Sequence, residues 1–177
     1  NSTLGYQASD FRVFALCFLA ALVEGFDIQS AGVAAPKFGP AFDMTPSELG
    51  WVFSSNTFGL FLGAAFGGWI SDRIGRRGVL VASMFLFGAF SIGTALAPTS
   101  AILIAMRFLT GVGLGGAMPN LIALTAEAGP DAGRVTRVTL ITSGIPLGGA
   151  LASLLVLIGA AELEWQAVFW VGGIAPL

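Results

Sequence analysis

The sequence predicts an all-α membrane protein. Of its 177 residues, 55% are hydrophobic and only 10% are charged, whereas a soluble domain carries about a quarter charged residues. The mean hydropathy is +0.86. The apolar residues gather into runs of about 20, the length a helix needs to cross a bilayer. None of these runs shows the two-residue alternation of a transmembrane barrel strand.

The predicted helices lie at roughly 11–35, 48–70, 78–97, 101–125, 136–159 and 165–177. Before the second, the segment DMTPSEL (43–49) places Thr45 at an N-cap, Pro46 in the first turn and Glu48 near the helix start. Along that helix Gly59, Gly63 and Gly67 recur every four residues, a flat stripe where another helix can approach closely. The turn APTS (97–100) separates the third helix from the fourth, in which Gly111 and Gly115 repeat the small-residue spacing. EAGPDAGR (127–134) reads as a polar connection, and AELEW (161–165) ends on a tryptophan suited to the membrane interface. The sixth run reaches the last residue. The expectation is therefore a piece of a longer protein, with its sixth helix cut short.

Charge sets the orientation. Arg12, Arg73, Arg76, Arg77, Arg134 and Arg137 flank the first helix start and the second and fourth loops, against Lys37 alone on the opposite side. Short loops rich in Lys and Arg stay in the cytoplasm, so the N-terminus is expected there, with Asp43, Glu48, Glu162 and Glu164 outside. The basic residues form no patch with stacking aromatics, so no nucleic-acid partner is expected. Histidine is absent and Cys17 is single, which leaves no material for a zinc site or a His-dependent triad. GVGLGG (111–116) has the glycines of a dinucleotide loop but no preceding strand.

The chemistry-bearing residues lie inside the spans. Glu24, Asp27 and Arg107 each cost roughly 3 kcal/mol or more at a helix centre, so such residues mark function. The i, i+3 spacing puts Glu24 and Asp27 on one helix face, which must look into a bundle or a watery cavity. Asp27 lies about 12 Å from the outer end of helix one and Arg107 about 9 Å below that of helix four, so they can pair if those helices adjoin. Two acids and one base leave a surplus negative charge that one proton neutralises, and Glu24 is the natural carrier. The alternative is purely structural: an Asp–Arg pair that locks two helices together. Gln29, Asn56, Asn120, Thr142 and Ser143 are candidates to line a cavity, or equally to bond neighbouring backbone.

The second loop reads Gly68-Trp69-Ile70-Ser71-Asp72-Arg73-Ile74-Gly75-Arg76-Arg77. It resembles the G-x-x-x-D-R-x-G-R-R signature of the major facilitator superfamily. A basic topological loop accounts for the arginines but not for the Gly68, Asp72 and Gly75 spacing. RFLTGVGLGG (107–116) is similar to the superfamily's R-x-x-x-G-x-G motif, associated with proton coupling or substrate binding. The resemblance covers the whole chain and implies the N-terminal six-helix half of a twelve-helix transporter, with the C-terminal half as the missing partner. EGFDIQSAGVAAP (24–36) and GVGLGGAMPNLIALTAEAGP (111–130) resemble the aromatic acid:proton symporters, in particular the hydroxyphenylpropionate type. Relatives of that kind often carry Asp-Gly-x-Asp in helix one; here the first acid is Glu24.

The resemblance implies import of an aromatic carboxylate by proton symport across a bacterial inner membrane, with the proton as coupling ion and no other cofactor. It makes Glu24 and Asp27 the proton-coupling acids and Arg107 and Asp27 substrate contacts. It places Gly68, Asp72, Arg73, Gly75, Arg76 and Arg77 in a gating loop. GIPLGG (144–149) departs from the G-P-x-x-G-G of drug antiporters. The alternatives are another organic anion, a sugar or a drug as cargo, and remotely an intramembrane hydrolase; the last needs facing acids, and Glu24 and Asp27 share one helix.

Overall fold

The computed structural model describes residues 2–127, 133–159 and 164–177, with side chains described from Arg12 onward. All regular structure among the described residues is helical: α1 (Ser2–Ala41), α2 (Pro46–Ile74), α3 (Arg76–Ala95), α4 (Ser100–Glu127), α5 (Arg134–Thr142), α6 (Gly144–Gly159) and α7 (Gln166–Ile174). Five stretches are long and apolar enough to cross a membrane: Arg12–Ala41, Pro46–Ile74, Arg76–Ala95, Ser100–Glu127 and Arg134–Gly159.

α1 runs past the expected end at 35, through Pro36 and Pro40. It stops at Asp43, which adopts a left-handed φ of 49°. There the Met44 N–H donates to the Gly39 carbonyl (2.9 Å) and the Asp43 N–H to the Pro40 carbonyl (3.2 Å). This is the paired closure of a Schellman motif. The start of α2 follows from its sequence. The Thr45 hydroxyl accepts from the Glu48 N–H, and the Glu48 carboxylate accepts from the Thr45 N–H, a reciprocal capping box with Pro46 at the first turn. α2 and α3 are separated only by Gly75, at φ 92°, a conformation that costs little only for glycine. α5 and α6 form one span with a break at Ser143. Pro146 offers no N–H to the Thr142 carbonyl and its ring crowds that turn. The central parts of the expected connections 127–134 and 161–165 lie outside the described residues.

The bundle is held by close backbone approach. A Cβ on Gly59 or Gly63 would collide with the Phe108 or Val112 carbonyl of α4, and one on Gly111 or Gly115 with the Asn56 or Leu60 carbonyl of α2. The two small-residue stripes are therefore faces of one interface. α1 packs on α6 in the same way, with the Leu22 carbonyl against Gly148. α3 meets α7 where Gly88 faces Gly173. The apolar core joins Phe26, Phe38, Val52, Leu103 and Phe169, and Trp165 stands edge-on to Phe38, Phe42 and Phe169. The outside carries exposed Phe58, Phe61, Phe66, Phe85, Leu157 and Ile158. That arrangement suits a hydrocarbon surround and not water.

Candidate functional site

α1 turns Glu24 and Asp27 away from the outside, while Ile28 and Gln29 on the same turn are exposed. α4 lies close enough to bring Arg107 to them. The guanidinium is bidentate on Asp27: Nη1 donates to Oδ1 at 3.2 Å and Nη2 to Oδ2 at 3.0 Å. Both side chains are 0% exposed. Two parallel charge-assisted bonds are the strong form of such a pair. α3 adds Ser91, whose hydroxyl lies 3.0 Å from Asp27 Oδ1 and 3.2 Å from the Phe169 carbonyl of α7. The Phe169 ring lies under the Arg107 guanidinium, 5.4 Å from ring centre to Cζ, within cation–π range. Four helices thus converge on one ion pair.

Glu24 stands one turn before Asp27 and is 1% exposed. Neither of its carboxyl oxygens has a hydrogen-bond partner, and Arg107 Nε is likewise buried without one. The acid-bearing face of α1 therefore looks into the bundle of this half and not onto its outside. An open groove of about 700 Å³ lined by Gly32, Pro36, Pro40 and Asp43 lies where the end of α1 meets the start of α2, apart from these charges.

The weaker candidates are scattered. Asn120 is buried, and its amide donates to the Gly116 carbonyl one turn back (2.8 Å). Thr142 donates to the Val138 and Thr139 carbonyls. Ser143, at the break between α5 and α6, donates to Leu140 (2.6 Å). Each of these bonds its own helix. Asn56 lies on α2 at the α4 interface with a buried, unpartnered Oδ1. Gln29 is exposed.

The loop expected at 68–77 is helix on both sides of Gly75; in the last turn of α2, Arg73 lies over the Trp69 ring at 3.7 Å. Arg76 pairs with Glu127 at the end of α4, 51 residues away. Asp72, Arg73 and Arg77 are exposed, Gly75 makes the turn, and Gly68 has open space around its Cα. Sequence reasoning missed Ser91, Phe169 and Glu127; the one usable signal was that Glu127 ends a span on the same side as the arginines.

The chain matches the profile of the Major Facilitator Superfamily over residues 17–177. The chain belongs to the major facilitator superfamily. Membership sets aside the hydrolase alternative: this is an integral membrane protein of a transporter fold. It is 51% identical over 162 residues to the 3-(3-hydroxy-phenyl)propionate transporter of Escherichia coli K12, covering 92% of this chain and 40% of that protein. It is 38% identical over 172 residues to the 4-hydroxybenzoate transporter PcaK of Pseudomonas aeruginosa, covering 94% and 37%. Among solved structures it resembles the proton:xylose symporter XylE bound to 6-bromo-6-deoxy-D-glucose. The TM-score is 0.87 at 22% identity, over 96% of this chain and 43% of that one; this likeness speaks to the fold alone. The chain thus spans about two-fifths of the length of the relatives it matches and corresponds to part of their N-terminal half.

Proposed function

We propose that this chain supplies the N-terminal half of a secondary transporter that imports an aromatic carboxylate together with a proton. In this reading transport proceeds by alternating access across a bacterial inner membrane. The N-terminus and the arginine-bearing loop face the cytoplasm, as the distribution of arginines favours. The observation that carries the reading is the buried Asp27–Arg107 pair with a partnerless Glu24 one turn away. An unpaired buried carboxylate is costly and a neutral carboxyl much less so. Glu24 is therefore the group that holds the coupling proton while Asp27 and Arg107 neutralise each other.

Arg107 has both terminal nitrogens on Asp27 and no exposed surface. The substrate's carboxylate engages it in exchange for Asp27, once a proton passes to Asp27. Cargo and proton are then bound together, because each removes the partner of the other. Gln29, Asn56, Asn120 and Ser143 are the polar groups of this half nearest in kind to a substrate hydroxyl, and Gln29 and Ser143 are exposed. The relatives named for hydroxyphenylpropionate, 4-hydroxybenzoate, gallate, gentisate and benzoate share one cargo chemistry, a carboxylate on or near an aromatic ring, and this supports the same class here.

The test is proton-driven uptake of labelled hydroxyphenylpropionate by the full-length transporter, with aromatic acids and sugars as competitors. Glu24→Gln and Asp27→Asn are each expected to abolish uptake driven by the proton gradient. Wild-type uptake by both variants removes these acids from the mechanism. Competition by sugars but not by aromatic acids overturns the cargo class.

A further inference from the structure

The Ser91 hydroxyl has one hydrogen and two acceptors in reach. Asp27 Oδ1 of α1 lies at 3.0 Å and the Phe169 carbonyl of α7 at 3.2 Å. All three residues are fully buried, so water does not compete for either bond. The geometry points to Ser91 as a positioning residue whose hydroxyl reports the proton on Asp27 to α7. While Asp27 is ionised, the hydroxyl donates to Oδ1 and adds a third charge-assisted bond to the two from Arg107. When a proton arrives on Oδ1, the acid O–H becomes the donor and the Ser91 oxygen the acceptor. The Ser91 hydrogen then turns to the Phe169 carbonyl. No atom moves between residues; the Asp27–Ser91 bond reverses its direction and the bond from Ser91 to the Phe169 carbonyl forms. This proposal rests on the reading of Asp27 as a proton-coupling acid.

The surroundings are built for such a relay. α3 and α7 come together at Gly88 and Gly173, which holds the hydroxyl between the two acceptors. At Gly172 an added Cβ would sit 3.7 Å from Asp27 Oδ1, so α7 lies directly against that oxygen. The same residue that offers the carbonyl places its ring under Arg107. α7 therefore meets both members of the ion pair, through a backbone acceptor on one side and an aromatic face on the other. Among the described residues, the ionisable groups facing Asp27 are Glu24 on α1 and Arg107 on α4. α6 and α7 carry none, and the charges of α3, Arg76 and Arg77, lie at its far end, about 22 Å along the helix from Ser91 at 1.5 Å per residue.

A hydrogen bond to a carboxylate is stronger than one between neutral groups. Losing the hydroxyl therefore harms the ionised form of Asp27 more than the protonated form. In the full-length transporter, Ser91→Ala is expected to move the alkaline limb of proton-driven uptake to higher pH by about half to one unit. Substrate counterflow, which needs no net proton movement, is expected to persist. Ser91→Thr keeps the hydroxyl and is expected to restore the wild-type profile. Ser91→Cys, a weaker donor in a similar volume, is expected to fall between, and decides the matter if the alanine variant does not fold.

An unchanged pH profile in both Ser91→Ala and Ser91→Cys overturns the relay. So does a profile shifted equally by alanine and threonine, since that shift follows packing and not the hydroxyl. Asp27→Asn is measured alongside. If it keeps wild-type proton-driven uptake, the proton-coupling reading itself has failed. If it abolishes that uptake while the Ser91 variants are unshifted, only the relay has.

Discussion

Two ion pairs among the described residues share a similar chemistry in opposite surroundings, and α4 contributes to both. Near its start Arg107 grips Asp27, both at 0% exposure. At its end Glu127 meets Arg76, with side chains 61% and 39% exposed. Burial makes the first pair a commitment. Removing either partner strands a charge where nothing replaces water, which is why Ser91 and the Phe169 ring gather around it. The second pair is solvated on both sides and can open and close at little cost. The same residue types thus form a fixed, dry clamp within the bundle and a reversible latch at its rim.

The sharpest test of this contrast is Arg107→Leu. It leaves Asp27 and Glu24 buried with no cation, and should lower the stability of the full-length transporter by about 3–5 kcal/mol. The readout is thermal unfolding in detergent, with uptake lost. The double variant Asp27→Asn/Arg107→Gln carries no stranded charge from the pair, and is expected to recover most of the stability without recovering uptake. If Arg107→Leu melted like wild type, burial would not be what separates the two pairs.

Next in size is Gly115→Leu. Its side chain would drive into the Leu60 carbonyl and push α4 off α2, at about 1–3 kcal/mol for overpacking. Because α4 carries a member of each pair, both should suffer together, whereas Gly50→Ala, with open space at its Cβ, should leave the melting midpoint where it was. Smaller again, Phe169→Leu removes the ring from the guanidinium, a contribution of about 2 kcal/mol or less in a dry site. It should lower the midpoint modestly while uptake survives.

How far the sequence alone disclosed this contrast follows from what is local and what is not. Five spans were legible because each is a continuous apolar run of bilayer length. The start of α2 was legible because Thr45, Pro46 and Glu48 form a complete cap within four residues. Asp27 and Arg107 were matched on depths counted to a helix end at 35, yet α1 runs to Ala41, about 21 Å past Asp27 at 1.5 Å per residue, so the pair forms although the two depths are not equal. Ser91 and Phe169 could not be found that way. Which face α3 turns to α1 is decided by the Gly88–Gly173 approach to α7, a contact between residues far apart in the chain. Asn120, Thr142 and Ser143 looked like cavity polar groups, yet a hydroxyl or amide on a helix has its own preceding carbonyls within reach. The end of α1 was misjudged at Pro36 because the helix tolerates both prolines and closes on Asp43.

The exposed pair yields the finest test. Arg76→Gln and Glu127→Gln should each change stability by less than about 1 kcal/mol. That small effect should fade as ionic strength rises from about 0.1 M toward 1 M, where the screening length falls from about 10 Å to 3 Å. The deficit of Arg107→Leu should not respond to salt in the same way, because mobile ions do not enter a site with no exposed surface. The exchange Arg76→Glu/Glu127→Arg should restore whatever the single variants lose at low salt, since the latch needs opposite charges and not a particular order of them. A salt-independent loss at Arg76 as large as that at Arg107 would mean that the rim contact is built into the fold, and the division of labour along α4 would fail.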